Sequence, residues 1–270
     1  MSLLERPAGV PTAPLLGPGD PPPFTVHNPH GGSPFLLLAD HAGQRVPAAL
    51  RGLGLAQAEL DRHIGWDIGI AGTTRALARR LDAFAIEQTY SRLVIDCNRP
   101  LASPTLMPET SDGTAVPGNA GLDAARRRQR IGAIHAPYHA RIAAELDRRR
   151  DAGTPTLLVM MHSFTPAMNG TQRPWHAGVL YHRDTRFAHA LLQALLDEGD
   201  LVVGDNQPYS VSSTSDYAVP VHGEGRGLVH VELEIRQDLI ADAAGQQAWA
   251  ERLARVFTTL QPTLLAHAAA

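Results

Sequence analysis

The feature that most constrains the fold of this chain is a pattern, met four times, in which a strand-like run rich in apolar residues ends at polar side chains. Runs of this length are typical of buried strands. Open α/β sheets collect their binding residues at the carboxyl ends of their strands. The pattern therefore predicts one polar site at the edge of a sheet. The four runs and the polar residues that follow them are 35–39 with Asp40 and His41, 93–95 with Asn98 and Arg99, 156–161 with His162, and 229–233 with Glu234 and Arg236.

Strand-like and helix-like segments alternate along the chain. This alternation predicts a three-layer α/β/α single domain with a mixed, largely parallel sheet. Strands are predicted at residues 35–40, 83–89, 91–97, 156–161, 177–182, 201–204 and 228–235. One or two helices are predicted over residues 56–81, and single helices over 122–151, 184–198 and 243–267.

The first 34 residues are rich in proline and glycine, so we expect an N-terminal arm over 1–34 and one catalytic α/β domain over 35–270. Residues 1–23 contain seven prolines and no basic segment ahead of an apolar one. We therefore expect no secretory signal. Long loops with turn-forming residues are predicted at 100–120, 163–176 and 205–226, and the first of them is a candidate wall of the active site.

Composition excludes several classes of protein. The net charge of −3 gives no reason to expect a nucleic-acid surface, and the arginine triplets 126–128 and 148–150 are predicted to lie on a solvated helix face. No apolar stretch is long enough for a membrane span, so we expect a cytoplasmic protein. The single cysteine, Cys97, excludes an internal disulfide and is predicted to be a buried structural thiol. The oligomeric state is not determined by these features.

Two histidines at predicted strand ends, His41 and His162, are the best candidate metal ligands. Catalytic zinc takes three protein ligands from His, Asp, Glu and Cys and leaves a position for water. Asp67 is the candidate third ligand, and its alternative role is to cap the helix that follows. Gln44 has the spacing of a second ligand after His41, but an amide is a poor zinc ligand. Asp40 is expected to support His41 from behind, or to bind the metal itself. Cobalt, manganese and iron also suit such a ligand set.

Glu234 is the candidate general base. Side chains alternate along a strand, so Glu234 shares one face of its strand with His230, Glu232 and Arg236. A carboxylate beside a metal site can take a proton from water and return it to a leaving amine. The alternative is a surface ion pair between Glu234 and Arg236.

Asn98 and Arg99 directly follow an apolar run and predict a substrate with a free carboxylate. A guanidinium binds a carboxylate through two parallel hydrogen bonds, and an amide adds another donor. Arg92, at the start of the same run, is a second candidate for this role. The alternative for Arg99 is an exposed side chain at the end of a strand.

The chain resembles the N-formylglutamate amidohydrolase family. The similarity extends over residues 25 to 260, and its most specific parts are the Asn-Arg-Pro and His-Ser-Phe-Thr-Pro sequences. The matching segments are Asp40–Pro47, Asp67–Gly69, Ser91–Pro100, His162–Pro166, Asp205–Ser210 and Glu234–Leu239.

This resemblance implies a fold similar to zinc-dependent exopeptidases and hydrolysis of an N-acyl amino acid, which in that family is N-formyl-L-glutamate. It implies a role in amino-acid catabolism, histidine degradation in particular. Asn98 and Arg99 look like the carboxylate clamp of carboxypeptidases, and Glu234 looks like their base. Gln44 departs from their His-x-x-Glu motif, which makes Asp67 the expected third zinc ligand. Ser163 is then expected to support a ligand.

In the resulting hypothesis, Zn²⁺ binds to His41, Asp67 and His162, and Glu234 accepts the proton of the attacking water. Arg92 stabilises the developing oxyanion. The substrate carboxylates are held by Asn98, Arg99 and Arg236. Three alternatives stay open: a deacylase of another N-acyl amino acid or small amide, a non-catalytic protein that binds an acidic metabolite, and a nucleotide-handling α/β protein. Against the nucleotide-handling alternative, the sequence contains no glycine-rich phosphate loop.

Overall fold

A computed structural model describes residues 14–269 of the chain. The strands, in chain order, are β1 (Phe24–His27), β2 (Phe35–Ala39), β3 (Phe84–Gln88), β4 (Thr110–Ser111), β5 (Thr114–Ala115), β6 (Leu157–Phe164), β7 (Ala167–Met168), β8 (Thr171–Gln172), β9 (Ala177–Leu180), β10 (Val203–Asp205) and β11 (Val229–Arg236). Seven of them form a central sheet in the order β1-β3-β2-β6-β11-β9-β10, and two short hairpins, β4–β5 and β7–β8, stand apart from it.

The central sheet is mixed and largely parallel, as predicted. Strands β3, β2, β6 and β11 run in the same direction. Strand β1 pairs antiparallel with β3, and β9 pairs antiparallel with β11. Every residue of β2, β6 and β9 is buried, which is typical of strands covered by other elements on both faces.

Helices cover both faces of the sheet, so the three-layer prediction is confirmed. The α-helices are α1 (Gln57–Leu60), α2 (Ile70–Leu81), α3 (Ala124–Arg130), α4 (Ala136–Asp151), α5 (Arg186–Asp197) and α6 (Ala243–Ala269). Short 3₁₀ segments lie at Ala48–Gly54, Pro117–Asn119, Glu224–Arg226 and Gln237–Leu239, and π-helical turns at Ile131–His135 and Val219–Gly223. The first π turn joins α3 to α4, so the predicted helix over 122–151 is continuous but bulged.

The core has two halves, one on each side of the sheet. Helices α2, α5 and α6 lie on one face, where Phe35 of β2 stacks on Phe257 of α6 with ring centroids 5.2 Å apart. Helix α4 lies on the other face, where Tyr138 and Ile142 join Leu36 of β2 in the core. The apolar side chains of β2 thus point alternately into the two halves of the core, as the two-residue period of a strand requires.

Residues 91–97 are not a strand, in contrast to the prediction. They form successive turns, since Val94 N donates to Ser91 O at 2.9 Å and Asp96 accepts a hydrogen bond from the backbone of Asn98. Short polar side chains compete with sheet ladders for backbone groups in this way. The apolar side chains of this segment are nevertheless buried, which explains why it resembles a strand in the sequence.

The predicted helical region over 56–81 is divided by a loop at residues 61–69. Gly69 ends this loop with a φ of 82°, and a Cβ atom there would lie 2.1 Å from the carbonyl oxygen of Ile240. Only glycine fits this conformation and this close approach. Gly69, rather than Asp67, is the N-cap residue of α2, and Asp67 is held inside the loop by a hydrogen bond from its backbone N to His41 O.

The N-terminal part of the chain contributes to the sheet. Strand β1 lies within the predicted arm over 1–34 and forms an edge of the sheet. Residues 1–13 of that arm, which carry part of the expectation about a secretory signal, lie outside the described residues. Within residues 14–269, none of the helices combines the length and the apolar character that crossing a membrane requires.

Candidate functional site

A cavity of about 510 Å³ opens at the carboxyl ends of the parallel strands. Strands β2, β6 and β11 lie side by side, so the residues at their ends face the same space. His162 lies within β6, two residues before its end, because this strand continues to Phe164. The lining includes His41, Asp67, Arg92, Asp96, Asn98, Arg99, His162, Ser163, Tyr209, Asp216, Glu232 and Glu234.

His41, Asp67 and His162 converge in this cavity. Asp67 Oδ2 lies 3.5 Å from His41 Nδ1 and 3.0 Å from His162 Nδ1. One ligand atom from each residue lies within 4.8 Å of the other two, and all three side chains are buried. The two imidazole rings therefore meet around one oxygen of the Asp67 carboxylate. The residues that orient these rings lie 55 or more positions away in the chain.

The surroundings of this group fit a bound cation. His41 Nε2 lies 2.7 Å from Asp96 Oδ1, so this carboxylate accepts the ring proton and leaves the Nδ1 lone pair free. Among the described residues, His41 Nδ1 has no hydrogen-bond partner although it is buried. Two imidazole nitrogens and a carboxylate oxygen are ligands that zinc accepts in catalytic sites.

The charges around these three side chains also favour a cation. Burial acts to raise the pKa of Asp67, but His41 and His162 hold it well below its usual range. The pKa of His162 is raised to about 10, because the carboxylates of Asp67, Glu232 and Glu234 outweigh the opposite effect of burial. A site that attracts a proton onto a buried imidazole this strongly has an excess of negative charge. A divalent cation would balance that excess.

Glu234 lies on β11 opposite His162 of β6, and it is 6% exposed. Burial raises its pKa to about 8. Its Oε2 atom has no hydrogen-bond partner among residues 14–269. The predicted alternative, an exposed ion pair with Arg236, is therefore not what the structure shows. Glu234 is a buried carboxyl group that can exchange a proton near neutral pH.

Glu232 is a second buried acid in the cavity, for which the sequence analysis proposed no role. It is 4% exposed, burial raises its pKa to about 7, and its Oε2 atom is also without a partner in the described part of the chain. The signal that could have found it is the alternation along β11, which puts residues 232 and 234 on one face.

Arg92 lies between two carboxylates. It donates to Asp96 Oδ2 from Nε and Nη2, at 3.2 and 2.9 Å, and to Asp67 Oδ1 from Nη1 at 3.3 Å. Burial acts to lower the pKa of Arg92, but these carboxylates raise it further above its normal value, so the guanidinium is permanently charged. Arg92 thus orients both Asp67 and Asp96, the residue behind His41.

Asp96, like Glu232, had no role in the sequence analysis. It accepts hydrogen bonds from His41, Arg92 and the backbone of Asn98. Burial opposes its charge, but the neighbouring His41 and the arginines Arg92 and Arg99 keep its pKa well below the usual range. Its position in a run of apolar residues, two residues before Asn98, is the signal that could have revealed it.

Asn98 and Arg99 both line the cavity but are also engaged with the loop at residues 215–218. Asn98 Oδ1 accepts hydrogen bonds from the backbone N of Tyr217 and Ala218, both at 3.0 Å. Arg99 Nη1 donates to Ser215 O at 2.6 Å and lies 3.6 Å from Asp216 Oδ1. The predicted alternative for Arg99, an exposed side chain at a strand end, does not apply.

Asp40 lies behind His162 rather than behind His41, where we expected it. Asp40 Oδ2 is 3.9 Å from His162 Nε2, and Asp40 Oδ1 accepts a hydrogen bond of 2.5 Å from Tyr138. Ser163 supports Asp67, since its backbone N donates to Asp67 Oδ2 at 3.2 Å. The side chain of Asp40 points to His162 because β2 and β6 are adjacent strands, whereas His41 turns toward the loop that carries Asp96.

Two residues named in the sequence analysis lie away from the cavity. Arg236 pairs with Asp238 at 2.8 Å and donates to the carbonyl oxygen of Trp175, and it does not line the cavity. It is the last residue of β11, two positions beyond Glu234, where the strand leaves the sheet. Gln44 lines a separate cleft with Trp66.

Comparisons with known proteins identify relatives of the chain. Residues 33–241 match the sequence profile of a family described as N-formylglutamate amidohydrolase. A protein of Pseudomonas putida named N-formylglutamate deformylase is 31% identical over 149 residues, which are 49% of this chain and 52% of that protein. The chain therefore spans about half the length of this curated relative.

Two solved structures are similar to the fold described above. A gene product of Agrobacterium tumefaciens is 33% identical with a TM-score of 0.87, and the match covers 94% of this chain and 98% of that one. N-formylglutamate amidohydrolase from Ralstonia eutropha is 20% identical with a TM-score of 0.66, covering 90% of this chain and 98% of that one. The second likeness, at this low identity, concerns the fold alone.

Proposed function

Because the chain belongs to the N-formylglutamate amidohydrolase family, we propose that it hydrolyses N-formyl-L-glutamate to formate and L-glutamate. Water is added across the amide bond: the formyl carbon gains the oxygen and the amine nitrogen gains a proton. The observation that carries the proposal is the convergence of His41, Asp67 and His162 beside the buried Glu234 in one cavity.

His41, Asp67 and His162 would hold a divalent cation, for which we propose Zn²⁺, with cobalt, manganese or iron as the alternatives that this ligand set accepts. When bound, such an ion polarises a carbonyl oxygen and lowers the pKa of water at the site. Asp96 fixes the ring of His41. Asp40, which accepts a hydrogen bond from Tyr138, lies behind His162.

Glu234 is the proposed general base. Its burial in the cavity raises the pKa of the carboxyl group to about 8, which favours uptake of a proton from the attacking water. The same proton is then available for the amine nitrogen, which must be protonated before it leaves. Glu232, two residues earlier on the same face, also acts to raise the pKa of Glu234 and so makes its carboxylate more basic.

The two arginines of the cavity have separate proposed roles. Arg92 donates toward the carbonyl oxygen as negative charge develops on it, since its guanidinium is held in place by Asp67 and Asp96. Arg99 binds the substrate α-carboxylate. Asn98 Nδ2 lies at a long 3.5 Å from Asp216 Oδ1, which leaves this donor able to turn to the same carboxylate. We assign no part in binding to Arg236.

The proposal is tested with protein that has been depleted of metal and then reloaded with zinc. A panel of N-formyl, N-acetyl and longer N-acyl amino acids is offered, and formate and free amino acid are measured. We expect release of L-glutamate from N-formyl-L-glutamate, abolished by His41→Ala together with zinc binding and preserved in the matched control His30→Ala, whose side chain is exposed.

Other outcomes point to the alternatives. Turnover of a different N-acyl compound would identify a deacylase of another amino acid. Binding of acidic metabolites without any turnover would indicate a non-catalytic binding protein. Full activity in metal-free protein would overturn the mechanism.

A further inference from the structure

The cations around the cavity differ in whether an acidic side chain neutralises them. Arg92 pairs with Asp96 at 2.9 Å, and Arg99 lies 3.6 Å from Asp216. These charges are balanced within the protein, so each offers a substrate less than its full attraction.

Arg173 is the exception at the edge of the cavity. No carboxylate oxygen of residues 14–269 lies within 4.0 Å of its guanidinium, and its contacts are with neutral groups. Its Nη1 donates to Thr165 Oγ1 at 3.1 Å and to the hydroxyl of Tyr209 at 3.0 Å. Its guanidinium carbon lies 4.9 Å from the centre of the Tyr209 ring. Both partners line the cavity, so Arg173, which is not itself a lining residue, is held directly behind its wall.

The contacts of Arg173 hold the guanidinium in place but leave one edge of it free. Both hydrogen bonds come from Nη1, and Nε and Nη2 have no acceptor among the described residues. The Nε–Nη2 edge presents two parallel N–H groups, the geometry that binds both oxygens of one carboxylate. Tyr209 is 44% exposed and Arg173 is half-buried, so both side chains reach solvent beside the cavity.

We propose that Arg173, together with the hydroxyl of Tyr209, binds the side-chain carboxylate of the substrate and selects acidic over neutral N-acyl amino acids. This inference rests on the proposed function, in which Arg99 takes the α-carboxylate. An acidic amino acid carries a second carboxylate, and Arg236, the predicted partner for it, is already paired with Asp238. Arg173 is the remaining cation that can neutralise this second charge.

The test compares an acidic substrate with its neutral isostere. In zinc-loaded protein, Arg173→Gln is expected to lower kcat/KM for N-formyl-L-glutamate roughly 10- to 100-fold, the loss that follows removal of a charge-assisted hydrogen bond. We expect this loss to be in KM. N-formyl-L-glutamine should change by no more than about threefold, since it has no charge for Arg173 to bind. The matched control is Arg150→Gln, whose exposed guanidinium pairs with Asp147 and Asp151.

Arg173→Lys separates the charge from its geometry. It keeps a cation but loses the two parallel donors, and we expect an intermediate loss for the acidic substrate. Melting temperature and zinc content are measured for each variant, because Arg173 also holds Thr165 and Tyr209. An equal loss for both substrates, or no loss for either, would overturn the inference.

Affinity for the product gives a readout that is independent of catalysis. The dissociation constants of L-glutamate and L-glutamine are measured by calorimetry for the wild type and Arg173→Gln. Selective weakening of L-glutamate would support the inference even if the wild type released no formate, in which case the proposed function alone would fail. Formate release from N-formyl-L-glutamate that is indifferent to Arg173→Gln would leave the proposed function intact and refute this inference.

Discussion

His41 Nε2 lies 2.7 Å from Asp96 Oδ1, and this single contact determines which ring nitrogen of His41 faces Asp67. The carboxylate fixes the proton on Nε2, so Nδ1 is left as a lone-pair donor at the place where Asp67 and His162 converge. A buried acid that orients a metal ligand in this way typically contributes 10- to 100-fold to metal affinity.

Asp96→Asn is therefore expected to weaken zinc binding by roughly 10- to 100-fold. The amide can neither hold the Nε2 proton as strongly nor keep its charge next to Arg92. The dissociation constant is measured by competition with a chelator, and Asp151→Asn, which changes an exposed carboxylate, is the control. Unchanged zinc affinity in Asp96→Asn would show that the orientation of His41 does not depend on this acid.

Glu234→Gln is expected to lower kcat by roughly 100- to 10,000-fold with zinc content unchanged. The amide fills the same space but cannot carry a proton between water and the amine. Formate release and bound zinc are measured on the same preparation. Loss of zinc from this variant would mean that Glu234 acts as a ligand and not as a base.

Arg99→Lys is expected to raise KM far more than it changes zinc content or kcat. The ammonium keeps the charge near Asp216 but lacks the planar pair of donors for a carboxylate. Steady-state kinetics with N-formyl-L-glutamate and metal analysis give the two quantities. If zinc is lost while KM stays constant, the role of Arg99 in binding is wrong.

Gly69→Ala is expected to destabilise the protein by more than about 1 to 2 kcal/mol, the cost of a left-handed conformation for a residue with a Cβ atom. The added atom would also meet the backbone oxygen of Ile240. Because Asp67 lies two residues earlier in the same loop, we expect zinc affinity to fall as well. Gly113→Ala is the matched control: its φ is 74°, and no atom lies within 4 Å of the new Cβ. The free energy of unfolding is measured by denaturant titration, and zinc affinity by zinc titration, for both variants. Equal changes of these quantities in the two variants would refute the prediction.

Acid is expected to destabilise the protein through a cluster of buried histidines, His135, His139 and His222. Burial lowers the pKa of each, and that of His222 to about 4 from 6.5. As the pH falls, these rings stay neutral in the folded protein at pH values at which they already bind protons in the unfolded chain. Their contribution to stability is therefore complete above pH 6.5 and is lost as the pH falls toward 4.

For His222 alone, the loss between pH 7 and pH 5 is expected to be about 2 kcal/mol. The free energy of unfolding is measured by urea titration at both pH values, in metal-free wild type and in His222→Gln. The variant lacks the titrating ring, so its stability should change less with pH. An equal pH dependence in the two proteins would contradict this assignment.

Most of the layered fold and half of the site could be predicted from local pattern. The apolar runs that become β2 and the first five residues of β6 are recognisable because burial on both faces leaves no polar position inside them. Strand β11 is recognisable from the alternation of its apolar and polar residues. The family resemblance is confirmed by the matching profile over residues 33–241. The segment at 91–97 misled the prediction, since an apolar sequence is compatible with a buried turn as well as with a strand.

The sequence by itself determined that His41, His162 and Glu234 would meet. Neighbouring parallel strands bring their carboxyl ends to one edge of the sheet, and this does not depend on the conformation of the loops. Only the tertiary structure decided what surrounds them. It turned Asp96 rather than Asp40 toward His41, buried Glu232, paired Arg236 with Asp238 away from the cavity and placed Arg173 against Tyr209. These positions depend on how loops fold back over the sheet, through contacts between residues far apart in the chain that no local periodicity records.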